Sequence, residues 1–128
     1  MAADIAFAQS KEQKRARAAW DYVQGLTRAD REDYSQRVNG FAPDILTNGI
    51  LQTLATYKRS GTVGELKLVD HIEKWLFSSS EDAGIDWGTF RAGTIIETLA
   101  KCDSDVYRRA QIEALAFIVW LKRFAKEK

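Results

Sequence analysis

From Ile112 to Leu121 the chain carries a single polar residue, Glu113. Read as a helix, this stretch is apolar almost all the way round, and such a helix must be covered on every side. On a wheel of about 100° per residue, Val106, Ala110, Ala114, Phe117, Leu121 and Phe124 share one face. Ile112, Leu115, Ala116 and Val119 lie opposite, with Trp120 between the two faces and expected in the core. Either the segment is the central helix of a bundle, or its far face meets a partner. The apolar run Ala114 to Leu121 falls well short of the ~20 residues that a membrane span needs.

The rest of the chain repeats the helical theme. Alternation of period two is absent, so no strand is expected. The spacing predicts a first helix from about Asp4 to Gln24, with Ile5, Ala16, Ala19, Trp20 and Val23 on one face. A short polar helix follows from Thr27 to about Val38, stopped by Asn39 and Gly40. Pro43 suits the first turn of a third helix running to about Arg59, on which Leu46, Ile50, Leu54 and Tyr57 face one way. Thr62 and Glu65 form a capping box for a fourth, with Val63, Leu66, Val69, Ile72 and Leu76 as its buried stripe. Ser78 to Gly84 is a polar loop, a fifth helix runs from about Thr89 to Lys101, and Asp103-Ser104-Asp105 caps a sixth to about Lys126. The expectation is an all-α protein: a compact bundle of about six helices, one of them short, in a single domain over residues 1–128.

Catalytic apparatus is hard to find. His71, the only histidine, sits among Asp70, Glu73 and Lys74 and reads as a surface or edge residue; alone it makes neither a metal site nor a triad. The acidic pairs Asp30/Asp33 and Asp70/Glu73 read as solvated helix faces, and Glu97 with Lys101 as an i,i+4 ion pair. There is no phosphate loop and no nucleophile elbow. The single cysteine, Cys102, cannot make an internal disulfide and fits a reducing cytoplasm. The first ten residues lack the positive charge and apolar run of a secretory signal. No cofactor, metal or small-molecule substrate is expected.

Three surfaces remain for binding. The far side of the sixth helix suits a subunit contact through Ile112, Leu115 and Val119. On the third helix, Asn48, Gln52, Thr56 and Arg59 form a polar row beside Gly49, which permits close approach of another backbone. Asparagine and glycine in mid-helix cost roughly 0.5–1 kcal/mol each, and amides ending in arginine suit sugar–phosphate contacts. Hydrogen bonding within the bundle explains the same row equally well. The first helix presents Lys11, Arg15, Ala18 and Tyr22, which can track a backbone and stack a base or form an ordinary solvated flank. Net charge is only +1, with the basic residues biased towards the two ends of the chain.

The segments Arg15 to Val23, Pro43 to Tyr57 and Tyr107 to Ala125 resemble the small subunit of the Cmr complex, the type III-B CRISPR effector, with the middle block the most specific. The resemblance implies an α-helical subunit without catalytic activity, several copies of which stack as a minor filament beside the guide-holding backbone subunits. It implies contact with the target strand of the guide–target RNA duplex, while cleavage belongs to the backbone subunit. Protein beside a duplex that base pairing reads needs only charge and shape, as in another RNA-guided system. Carried onto this chain, target-strand contact falls to Arg15, Asn48, Gln52, Arg59, Lys122 and Arg123, and subunit contact to Ile112, Leu115 and Val119. The competing reading is a helical protein–protein adaptor or regulator with no nucleic-acid role.

Overall fold

The computed structural model describes residues 9–126, which form six α-helices and no strand among them. They are α1 (Lys11–Gln24), α2 (Arg28–Asn48), α3 (Ile50–Ser60), α4 (Val63–Leu76), α5 (Ile95–Lys101) and α6 (Ser104–Ala125), with a 3₁₀ turn at Gly88–Phe90. Side-chain caps set most of the starts. Ser10 and Gln13 close a capping box at α1, Thr62 and Glu65 do so at α4, and Thr27, Thr94 and Asp103 cap α2, α5 and α6. The expected beginning of the first helix, from Asp4, lies outside the described residues. Gly61, at φ 65°, closes α3 in the left-handed conformation that favours glycine.

Helix α2 corrects two boundaries. It runs unbroken through Asn39 and Gly40, and Pro43 lies inside it rather than at the start of a new helix. Tyr34, Val38, Phe41 and Ile45 explain the continuity: they are all fully buried at helical spacing, straddling both supposed breaks. An interior proline removes a backbone hydrogen bond and costs about 3 kcal/mol; Pro43 itself faces solvent, and the stripe on the other side holds the helix together. The real break is Gly49, at φ 86° and ψ 157°. Because the helix ends there, phase is not carried across, and Leu46 is 69% exposed while Ile50, Leu54 and Tyr57 are buried. The fifth helix also starts later than expected, at Ile95, because Thr94 caps it.

The core lies where α2 packs on α4 and α6, with α1 laid along α6 and α3 against α2, α4 and α5. Trp75 of α4 stacks on Phe117 of α6, with centroids 4.7 Å apart and planes 4° from parallel. Gly64 lets α4 cross α2 at contact distance: an added Cβ would come within 2.6 Å of the Tyr34 backbone nitrogen. The Gly64 N–H donates to Asp33 at 2.7 Å, so Asp33 ties two helices rather than solvating one. On α4 the buried residues are Gly64, Leu68, Val69, His71, Ile72, Trp75 and Leu76, while Val63 and Leu66 are exposed. His71 is thus a core residue, 4% exposed and sharing a 2.7 Å hydrogen bond between its Nδ1 and the Tyr34 hydroxyl.

Candidate subunit and nucleic-acid interfaces

Arg15 and Glu113 belong together. The carboxylate of Glu113 accepts from the Arg15 guanidinium at 2.7 and 2.9 Å and from the Trp75 indole N–H at 2.9 Å, with Lys11 at 3.6 Å. Burial pushes the Glu113 carboxyl up, but the hydrogen bonds from Arg15 and Trp75 and the Arg15 charge outweigh it and hold the group below its usual range. The hydrogen bond to Glu113 raises Arg15 in turn, against the cost of its own burial. Paired on both sides, a buried charge of this kind is tolerated. Lys11 and Lys14 extend the clamp by donating to the carbonyls of Ala83 and Glu81, each at 2.6 Å. The first-helix flank therefore faces inward at Arg15 and binds the loop at Lys11 and Lys14.

Asn48 and Gln52 are exposed and flank the Gly49 break. Asn48 is the last residue of α2, not a mid-helix residue, so its composition has a local explanation. What approaches Gly49 is a side chain and not a backbone: the Tyr107 hydroxyl would lie 3.1 Å from an added Cβ. That hydroxyl accepts from the Leu51 N–H at 3.1 Å, and the Gln111 carbonyl accepts from the Ile50 N–H at 2.9 Å. Two α6 side chains thus satisfy the first donors of α3, which Gly49 leaves without a side-chain cap. Their i,i+4 spacing was visible in the sequence; their partner was not.

The outer face of α6 is uncovered. Ile112 is 61% exposed and Val119 54%, with Leu115 half-buried between them. The helix buries Ala110, Glu113, Ala114, Phe117, Ile118, Leu121 and Ala125 on the other side, so one face is core and the other is open. Trp120 is half-buried at the edge rather than in the core; its ring tilts against Phe124 and lies 5.4 Å below the Arg123 guanidinium. Trp20 of α1, 45% exposed, meets Phe124 edge-on. Lys122 and Arg123 are exposed in the last turn of α6, where cations complement the helix dipole. Arg59 is exposed in the last turn of α3.

The structure brings Ile112, Leu115, Val119, Lys122 and Arg123 to one face of one helix. It separates the others: Asn48 and Gln52 sit at the α2–α3 break, Arg59 at the opposite end of α3, and Arg15 on an internal partner. Among the described residues no three His, Cys, Asp or Glu side chains are placed to hold a metal ion, and no helix is long and apolar enough to cross a membrane.

Fold and surface together define a small all-α protein with one helix left half open. Residues 11–127 match the family described as CRISPR-associated protein (Cas_Cmr5), and the chain belongs to that family. It is 31% identical over 111 residues to the CRISPR system Cmr subunit Cmr5 of Thermotoga maritima, an alignment covering 84% of this chain and 76% of that protein.

Proposed function

We propose that this chain is a non-catalytic small subunit of a type III-B CRISPR (Cmr) effector, acting in the cytoplasm. Its copies stack in a minor filament and touch the target strand of the guide–target duplex, while neighbouring subunits carry the chemistry. The observation that carries the reading is the open face of α6 in a chain of this family. Ile112 and Val119 stand exposed on the side of α6 turned away from the core, as residues awaiting a protein neighbour do. The relative named as a Cmr subunit supports the same partner set.

In this reading Ile112, Leu115 and Val119 make subunit contact, and Arg59, Lys122 and Arg123 meet RNA phosphates, with Asn48 and Gln52 donating to sugar or phosphate oxygens. Neither Arg59 nor Lys122 joins an ion pair among the described residues, which leaves both available. Arg15 ranks last of the proposed contacts because Glu113 already holds it. Co-expression with the other Cmr subunits and a guide RNA tests the assignment. The tagged chain is expected to co-purify with them in more than one copy, and its consistent absence from the purified effector sinks the reading.

A further inference from the structure

Building on the RNA reading above, we infer that the seam between α1 and α6 carries a stacking site for an unpaired nucleotide, formed by the Trp20 and Trp120 indoles with Phe124 between them. The four tryptophans divide into two kinds. Trp75 and Trp87 are buried, and their indole N–H groups donate to the Glu113 carboxylate and the Leu76 carbonyl, each at 2.9 Å. Trp20 is exposed and Trp120 half-buried, and among the described residues neither indole N–H has a hydrogen-bond partner. An indole that serves the fold buries its ring and pairs its N–H. These two do neither in full.

The rings are nevertheless held in place. Trp20 of α1 meets Phe124 edge-on, with centroids 5.2 Å apart and planes at 88°, and Trp120 tilts against the same ring at 5.7 Å. Arg31 of α2 donates to the Phe124 carbonyl at 2.9 Å and so fixes the turn that carries this ring. A rigid aromatic surface loses little entropy when a flat ligand lies on it.

The charge around the rings is positive. From Ala114 to Lys126 helix α6 carries no acid, while Lys122, Arg123 and Lys126 are exposed in its last turn and cap. None of the three joins an ion pair among the described residues, and the Arg123 guanidinium lies 5.4 Å from the centre of the Trp120 ring. On α1 the nearest acid, Asp21, borders the cleft beside Tyr22. A protein partner seated on the indoles would meet their apolar faces and leave the cations to be paired separately. A nucleotide answers all three features at once: a π-face for the rings, a phosphate for the cations and oxygen acceptors for the indole N–H groups. Bases within a duplex are covered by their neighbours on both faces, so the ligand is RNA outside the paired region. The cations draw in the strand, and the rings distinguish a strand with free bases from any other polyanion.

Fluorescence anisotropy at low salt tests this on the full chain, with an end-labelled oligouridylate beside an abasic oligoribonucleotide of the same length. The uridylate is expected to bind about fivefold or more tighter than the abasic strand. Trp20→Leu is expected to bring the two affinities together and leave the salt slope unchanged, while Trp20→Phe keeps most of the difference. The site is exposed, and thermal unfolding checks that each variant is folded. Equal affinities for the two strands in the wild type, binding of neither, or a Trp20→Leu chain that still prefers uridylate overturns the inference. A Trp20→Leu chain that binds uridylate like the wild type yet no longer co-purifies with the other subunits makes the seam a protein contact, which also overturns it. If the chain joins the effector while the two strands bind alike, the stacking site fails and the effector reading stands. If the preference for uridylate holds in a chain that never joins the effector, the effector reading fails and the stacking site stands.

Discussion

Glu113 interrupts the longest apolar stretch in the chain, and its surroundings explain why a carboxylate is kept there. It is the acceptor for a guanidinium from α1 and an indole from α4, so one side chain ties three helices. His71 is another buried polar residue with a defined partner, and it makes stability depend on pH. Burial lowers its pKa to about 4, with Asp70 pulling upward and Lys74 and Lys67 pulling down. The unfolded chain, with a pKa near 6.5, binds more protons between those values, so stability is full above about pH 6.5 and declines as pH falls towards 4. Urea unfolding is expected to show a loss of roughly 2 kcal/mol between pH 7.5 and pH 5, and His71→Gln to abolish most of that slope. A slope unchanged in the variant would assign it to other groups. The charged neighbours Asp70, Glu73 and Lys74 disguised this residue in the sequence. The better signal was its place with Leu68, Ile72 and Trp75 on a single arc of α4.

At the scale of elements, one glycine decides the path of the chain. Gly49 takes φ 86° with ψ 157°, a region that side-chain-bearing residues avoid, and an added Cβ would also meet the Tyr107 hydroxyl at 3.1 Å, closer than ordinary contact. Gly49→Ala is expected to lower stability by about 1–3 kcal/mol, read as a fall in the urea midpoint. Gly25→Ala, at an ordinary φ of −75°, should change it by less than about 0.5 kcal/mol. Equal effects at the two sites would contradict a conformational cause. Caps were legible in the sequence at Thr62 and in Asp103-Ser104-Asp105, but not at Ser10 or Thr94, which lay inside longer expected helices. Breaks were not. Asn39 and Gly40 look like a stop, yet the stripe from Tyr34 to Ile45 crosses them, and packing against residues distant in sequence is what local punctuation cannot report. The open face of α6 was legible as a face; only the packing of α1 and α2 along one side shows that it stays uncovered.

At the scale of the whole molecule, a net charge of +1 gives no long-range attraction for a polyanion. Any hold on RNA must come from locally placed cations multiplied over copies. In the assembled effector, Arg59→Ala, or Lys122→Ala with Arg123→Ala, is expected to weaken target-RNA retention. Each should flatten the plot of log affinity against log salt by about 0.7–1 for every phosphate no longer neutralised. Arg15→Ala should act otherwise, lowering the stability of the chain through the stranded Glu113 and leaving the salt slope nearly unchanged. An unaltered slope in the Arg59 and Lys122/Arg123 variants would remove those residues from the RNA surface.

The tie between Arg15 and Glu113 also has a timetable. Its two ends lie 98 positions apart, so a ribosome working at about 5–20 residues per second makes the second roughly 5–20 s after the first. Until then α1 has no α6 to lie along: the Arg15 charge lacks Glu113 and the Trp20 ring lacks Phe124. Newly made α1 is therefore a waiting segment, open to chaperones during synthesis, and the helix that begins the described chain is among the last to find its place.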